Sequence, residues 1–178
     1  MRFDTEGMTV LNPAGQTVWA INEFPPQVVE FDFMNSVKAR QFTLDTAVFQ
    51  PPLNASNGLE GVTFLPQLAK RQTADNLFLL GHALTGDVYK FKIPSTLASA
   101  AQYIGKFSTW ANHKMTDMDY HVATKTLYVM FGRDTPALLK AYSLNADYSV
   151  ATEIGAWPLP GLNQVRCRAR LCRVRLRV

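Results

Sequence analysis

Short apolar runs alternate with turn residues along most of this chain. Runs rich in Val, Thr, Phe and Trp between Pro, Gly and Asn residues are typical of β-strands. The pattern predicts three groups of four strands, at residues 6–11, 17–22, 27–33 and 38–44, then 61–65, 77–81, 87–93 and 104–110, then 119–123, 126–131, 138–144 and 152–157. A short helix is predicted near residues 95–102, where a capping hydroxyl precedes an alanine-rich run.

The three groups are variations on one repeat. Residues 4–10 read DTEGMTV, residues 58–64 read GLEGVTF, and residues 117–122 read DMDYHV as a fainter copy. A period of about 50 to 60 residues is typical of radial or stacked repeat folds. Two aromatic series follow the same order in the second and third strands, and we assign each series to one repeated packing position. The series are Trp19, Phe78 and Tyr128, and Phe31, Phe91 and Tyr142.

Four strands per repeat of this length are typical of a β-propeller blade. The sequence therefore predicts an all-β chain with blades at residues 4–44, 58–110 and 117–159. A β-sandwich would give similar strands, but with a less regular register. Because propellers close with about four to eight blades, we expect residues 1–164 to form an incomplete propeller. Its expected partners include the missing blades of a longer parent chain.

The last 14 residues differ from the rest of the chain. Residues 165–178 contain six arginines, both cysteines and no acid. This Arg-rich tail reads either as a strand with one cationic face or as a segment translated in the wrong frame. Because the repeat pattern stops abruptly, we expect the tail to lie outside the native fold. The body then holds no cysteine for a disulfide or a thiolate metal site.

The net charge of +4 comes from that tail. Residues 1–164, the body of the chain, hold 12 basic and 14 acidic side chains, a net charge of −2. The charge of the body therefore does not indicate nucleic-acid binding. No apolar run reaches the 18 residues expected of a membrane span. The first residues lack the apolar core of a signal peptide. The compartment is therefore left open, and a secreted parent protein is compatible with the sequence.

Three acids open the inner strands of the predicted blades: Glu6, Glu60 and Asp119. Inner strands line the central channel of a propeller, so these acids are expected to converge. A ring of carboxylates suits Ca²⁺, which prefers six to eight oxygen ligands. The alternative is that each acid accepts hydrogen bonds from a neighbouring blade. The glycine that follows Glu6 and Glu60 would then allow a close approach of the two backbones.

A second candidate group follows the second strand of each unit: Glu23, His82 and Arg133. These residues are predicted on one rim, where an acid, an imidazole and a guanidinium could bind substrate. Arginine offers a two-pronged donor that matches phosphate. The alternative is that all three are solvated loop residues. The sequence contains no Gly-rich phosphate loop, no Gly-x-Ser-x-Gly elbow and no His-Glu-x-x-His motif.

The repeat openings carry a family resemblance. Asp-x-Glu-Gly-Met-Thr and Leu-Glu-Gly-Val-Thr-Phe, with residues 18–26 between them, resemble the blade openings of esterase-like phytase and SdiA-regulated propellers. The pattern is more distantly similar to gluconolactonase, regucalcin and NHL-type propellers. The third unit departs from it, because Asp119-Tyr120 stands where Glu-Gly is expected.

The resemblance implies a β-propeller whose parent is a calcium-assisted hydrolase of phosphate esters. Ca²⁺ would neutralise the phosphate charge and position a water molecule, and the ligand would be a phosphate ester or another small molecule. Because propellers also serve without catalysis, the alternative is a module that binds a ligand or a protein.

Overall fold

The computed structural model describes residues 5–10, 17–23, 25–32, 34–35, 37–54, 58–65, 76–93, 100–132 and 136–160. Within them, twelve strands form three antiparallel sheets of four strands. Sheet 1 comprises β1 (Thr5–Thr9), β2 (Thr17–Asn22), β3 (Gln27–Asp32) and β4 (Val37–Thr43). Sheet 2 comprises β5 (Leu59–Leu65), β6 (Asn76–His82), β7 (Asp87–Ile93) and β8 (Gln102–Ser108). Sheet 3 comprises β9 (Met115–His121), β10 (Thr126–Phe131), β11 (Ala137–Leu144) and β12 (Ala151–Leu159).

Each sheet is a meander whose strand order follows the chain. The innermost strands β1, β5 and β9 lie next to one another, since β5 contacts both β1 and β9. The three sheets do not close on themselves, so the prediction of an all-β, incomplete propeller is confirmed. No helix in the described residues is long and apolar enough to cross a membrane.

The predicted helix near 95–102 is wrong at its C-terminal end, and its other residues, 95–99, lie outside the described part. Ala100 forms an isolated bridge with Thr43, and the Ala101 N–H donates to the Thr43 carbonyl oxygen at 3.0 Å. Gln102 already begins β8. Pairing with the neighbouring sheet therefore overrides the local helix propensity of the alanines. The only helix in the described residues is a 3₁₀ turn at Thr46–Val48.

A β-bulge marks the inner strand of every sheet. Thr5 pairs with Asn22 and Gly7 with Ile21, which leaves Glu6 as the extra residue. The same irregularity leaves Glu60 extra in β5 and Thr116 extra in β9. Because a bulge adds one residue to one strand of a pair, these three positions are structurally equivalent.

The bulges correct two sequence alignments. The counterpart of Glu6 and Glu60 is Thr116, so the predicted equivalence of Asp119 is wrong by three residues. The sequence pattern aligns the third repeat by its acid, whereas the structure aligns it by its bulge. In β2, β6 and β10 the equivalent residues are Trp19, Leu79 and Tyr128, so Phe78 was placed one position out of register.

The third-strand aromatic series is confirmed. Phe31, Phe91 and Tyr142 pair with equivalent second-strand residues, namely Val18, Phe78 and Leu127. Such a fixed register places one side chain of each sheet at the same point of its packing surface.

The core lies between neighbouring sheets. One apolar cluster joins sheets 1 and 2, and a second joins sheets 2 and 3. Trp19 from sheet 1 meets Phe78 from sheet 2 with ring centroids 5.0 Å apart, and Trp19 also stacks on Phe42 at 5.9 Å. We call the face of a sheet that packs on the next sheet its forward face, and the opposite face its rear face.

Two glycines allow the inner strands to approach closely, as the sequence predicted. A Cβ atom at Gly7 would lie 3.0 Å from the Val62 nitrogen, and one at Gly61 would lie 2.9 Å from the Met118 nitrogen. Larger residues at either position would therefore push neighbouring blades apart near the axis.

Candidate functional site

The inner strands are joined by a hydroxyl group. The Thr63 hydroxyl on β5 donates to Asp119 Oδ1 on β9 at 3.2 Å and accepts the Tyr120 N–H at 3.0 Å. Asp119 thus accepts a hydrogen bond from a neighbouring blade, which is the alternative to metal binding given above, and the donor is a side-chain hydroxyl. Glu6 and Glu60 are half-buried on their bulges.

The structure gives no direct support for a metal centre. In the described part of the chain, no three His, Cys, Asp or Glu side chains form a group that could hold a metal ion. Calcium binding by Glu6, Glu60 and Asp119 stays a prediction. The bulges count against a ring of three equivalent carboxylates, because the third equivalent position is Thr116. Its hydroxyl donates to the Met130 carbonyl oxygen at 3.2 Å.

Asp117 is a further acid on the inner strands, and burial raises its pKa. It occupies the position that Gly7 and Gly61 hold in the other sheets. Burial raises the pKa of Asp117 from its ordinary 3.8 to about 6; repulsion from Asp119 adds to the increase, and the hydrogen bond from the Met118 N–H opposes it. The sequence did not indicate this residue, because its correspondence with Gly7 and Gly61 appears only once the bulge in β9 is located.

Glu23 lies just after β2 and points into the protein. It is buried, and its Oε1 accepts the Gly58 N–H at 2.9 Å. The Gly58 carbonyl oxygen in turn accepts the Ala83 N–H at 2.9 Å. A Cβ atom at Gly58 would overlap the Glu23 side chain, at 2.1 Å from its Cγ. The carboxylate therefore fastens the start of sheet 2 to sheet 1.

His82 ends β6 and is fully buried. Its Nδ1 accepts the Leu84 N–H at 3.1 Å, so the ring proton lies on Nε2, which donates to the Pro51 carbonyl oxygen at 3.0 Å. Burial lowers the pKa of His82, while the Pro51 carbonyl opposes that shift. His82 is therefore neutral, with both ring nitrogens bound to backbone groups. Arg133 lies outside the described residues, so the predicted trio is seen only in part.

The sequence did not predict the connector that His82 holds. Residues 44–54 link sheets 1 and 2, and Phe49 within them is fully buried beside Tyr89, with ring centroids 4.6 Å apart. The Gln50 N–H donates to the Tyr89 hydroxyl at 3.1 Å. An aromatic residue isolated between turn residues was the available signal. The connector is thus anchored through Phe49 and Gln50 to Tyr89, while Pro51 and Pro52 are exposed.

The next connector, residues 109–114, is bound to the β6–β7 turn. Its Thr109 and Asn112 N–H groups donate to the carbonyl oxygens of Gly86 and Thr85, at 3.2 and 3.1 Å. Gly86 has φ +68°, and a Cβ atom there would lie 2.4 Å from the Trp110 carbonyl oxygen. Only glycine meets both requirements without strain. Ala111 and Asn112 are exposed in the middle of this connector.

Trp110 is fixed between two polar side chains. The His113 ring stacks on it with centroids 3.4 Å apart and planes 10° apart. Lys140 Nζ lies 3.8 Å from the Trp110 centroid, on the opposite face because the imidazole fills the other, and 2.8 Å from Glu153 Oε2. We call the exposed parts of the two connectors, residues 50–54 and 111–112, the connector rim. Its buried supports include the apolar Phe49 ring as well as the polar side chains of Glu23 and His82.

Comparison with known proteins identifies the architecture. No protein-family model matches the chain, and no curated protein sequence matches it. Hydrazine synthase of Kuenenia stuttgartiensis aligns with 90% of this chain at 12% identity and a TM-score of 0.55, over 37% of its own chain. The WD40 repeats of RRP9 align with 89% at 12% identity and a TM-score of 0.51, over 40% of their own chain.

A chain of a nidogen–laminin complex aligns with 88% of this chain at 13% identity and a TM-score of 0.52, over 51% of its own length. The matched structures are β-propeller proteins. This chain has the β-propeller fold. It spans between about two fifths and half of the structures it matches, and at these identities the likeness concerns the fold alone.

Proposed function

We propose that this propeller is a non-catalytic, protein-binding module and that it binds its partner on the connector rim. The observation that carries the proposal is that the polar side chains beneath the connector rim already bind backbone groups. His82 has both nitrogens bonded to backbone groups, and the Glu23 carboxylate is buried against the Gly58 N–H. A general base or a substrate ligand needs an accessible atom, whereas these side chains support loops.

The rim surface fits protein recognition. Its exposed residues include Pro51, Pro52, Ala111 and Asn112, which carry no charge. Both connectors are held by buried anchors, so little conformational entropy is lost when a partner binds. One of the matched structures described above comes from a complex between two proteins, the nidogen–laminin pair. These features favour a propeller that binds a protein partner on the connector rim.

The test compares two ends of the molecule. A photo-crosslinking residue replaces Pro52 on the rim, or Val122 in the β9–β10 turn at the opposite end. We expect the Pro52 probe to capture one partner protein that the Val122 probe does not. With that partner purified, Asn112→Arg should weaken binding at least about tenfold in calorimetry, while Val122→Arg should not. Equal capture at both ends, or unchanged affinity of Asn112→Arg, would refute the proposal.

The phytase-type function implied by the sequence resemblance is the competing proposal, with Ca²⁺ held by Glu6, Glu60 and Asp119. Titration of the chain with Ca²⁺ alone, followed by phosphate release from several esters, separates the two. Calcium-dependent release that Glu60→Gln abolishes, with Val122→Arg as the matched control, would favour the hydrolase and overturn the binding module.

A further inference from the structure

The two contacts between sheets use the same positions. On the forward face of sheet 1, Trp19, Val28 and Phe42 are buried against sheet 2. Their structural equivalents on sheet 2 are Leu79, Val88 and Phe107, which are buried against sheet 3. The pairings Val28 with Phe42 and Val88 with Phe107 fix the equivalence in the third and fourth strands. The repeat therefore encodes one type of contact, made twice.

The forward face of sheet 3 has apolar or aromatic residues at the same three positions, but no neighbouring sheet in the described residues. Its equivalent residues are Tyr128, Leu139 and Trp157, and Leu139 pairs with Trp157 as Val28 pairs with Phe42. Phe42 and Phe107 are 1% and 6% exposed, whereas Trp157 is 48% exposed. Trp157 is therefore exposed at a position whose equivalents are buried in both contacts between sheets.

The rear face of sheet 1 shows the complementary pattern. Val62 and Met118, the residues that receive a forward face in sheets 2 and 3, are 1% and 4% exposed, and their equivalent Met8 is 69% exposed. Val18 and Phe31 on the same face are half-buried. Ala20 and Val29, nearer its centre, are already buried, so the contact surface is the margin around Met8, Val18 and Phe31.

We propose that two copies of this chain associate head to tail, the forward face of sheet 3 in each copy packing on the rear face of sheet 1 in the other. Two copies supply six sheets, within the four to eight that close a propeller. A two-fold axis makes the two new contacts identical, and closure covers all four open faces at once. We choose a second copy as the partner because both internal contacts pack a forward face on the rear face of another sheet of this chain.

The inner end of the new contact differs from the internal ones in one residue. Gly7 and Gly61 allow the next inner strand to approach, but the third equivalent is Asp117. Its side chain would meet the backbone near Met8 of the second copy, so the two copies must separate slightly there. Asp117→Gly restores the glycine that the other two sheets have at this position, so the inner strands of the two copies could approach as closely as the internal ones do. The substitution should therefore tighten association.

The experiment measures the mass of the full chain by light scattering and sedimentation between micromolar and hundred-micromolar concentrations. We expect a species of twice the 19.9 kDa chain mass. Trp157→Glu and Met8→Glu, each at an exposed position, should raise the dissociation constant at least about tenfold, and Asp117→Gly should lower it. Val122→Glu, an equally exposed substitution in the β9–β10 turn, is the matched control.

Mixing the two variants distinguishes head-to-tail packing from any symmetric patch. Trp157→Glu keeps an intact rear face and Met8→Glu an intact forward face, so an equimolar mixture retains one good contact and should recover part of the dimer. A monomer at all concentrations, an open-ended polymer, a dimer that neither variant weakens, or no recovery on mixing would overturn the proposal. None of these outcomes involves the connector rim, so the proposed binding function stands or fails separately.

Discussion

Removing the charge of Asp117 is expected to stabilise the protein at neutral pH. Its pKa is raised from 3.8 to about 6, chiefly by burial. The folded protein therefore holds an ionised carboxylate less favourably than the unfolded chain does. Two pKa units correspond to about 3 kcal/mol, and since the side chain is only partly buried we expect Asp117→Asn to add about 1–3 kcal/mol at pH 7. The amide oxygen keeps the hydrogen bond from the Met118 N–H, which is 2.8 Å long in the wild type.

The pH dependence has a defined sign. Above about pH 6 the carboxyl is ionised in both states and the full penalty applies. As the pH falls from 6 towards 3.8, the folded state binds the proton first, so the stability contributed at this site rises. The advantage of Asp117→Asn over the wild type should therefore shrink between pH 6 and pH 4.

Urea unfolding of the wild type, Asp117→Asn and the control Asp119→Asn at pH 7 and pH 4 checks this expectation. Low protein concentration keeps self-association out of the comparison. If Asp117→Asn gains no more stability at pH 7 than Asp119→Asn, or if its gain is equal at both pH values, the folded protein does not disfavour the ionised Asp117 carboxylate and the argument from its burial is wrong.

Three further predictions concern stability and are read by urea denaturation. His82→Ala should cost about 2–5 kcal/mol, because the Leu84 N–H and the Pro51 carbonyl lose their partner, whereas His121→Ala at an exposed site should cost little. The same His82 site loses stability as pH falls below 6.5 towards its lowered pKa, and Asp117 acts in the opposite direction. Gly61→Ala should cost about 1–3 kcal/mol by pressing on the Met118 nitrogen; an unchanged midpoint would contradict the close approach of β5 and β9. Trp19→Ala should cost about 3–5 kcal/mol, but Trp19→Phe about 1 kcal/mol or less, because the buried indole N–H has no hydrogen-bond partner in the described residues. Equal losses for both would refute that difference.

The sequence predicted the architecture better than the site. Apolar runs and turn residues gave three groups of four strands because the strand pattern is local and each hairpin is short. The third-strand series of Phe31, Phe91 and Tyr142 followed from the same regularity. Phe78 was misplaced because adjacent aromatic and aliphatic residues satisfy a strand pattern equally well, and only pairing with Phe64 fixes its face.

The candidate site depended on contacts that no local pattern contains. Glu23, Gly58 and His82 are far apart in sequence, and their roles are visible only when the ends of β2 and β6 meet the start of β5 at one rim. An acid that binds a cation and an acid that fastens a loop look alike in sequence. Burial and the identity of the hydrogen-bond partner distinguish them.

By itself, the sequence determined the all-β class, the four-stranded repeat and the glycines of the inner strands. These features follow from backbone preferences and from side-chain alternation, which each strand expresses alone. Only the tertiary structure decided that Thr116 is the third bulge, that Asp117 replaces a glycine, and that Trp157 and Met8 lie on open faces. Those facts depend on how sheets align with one another, and that alignment is set by packing between residues distant along the chain.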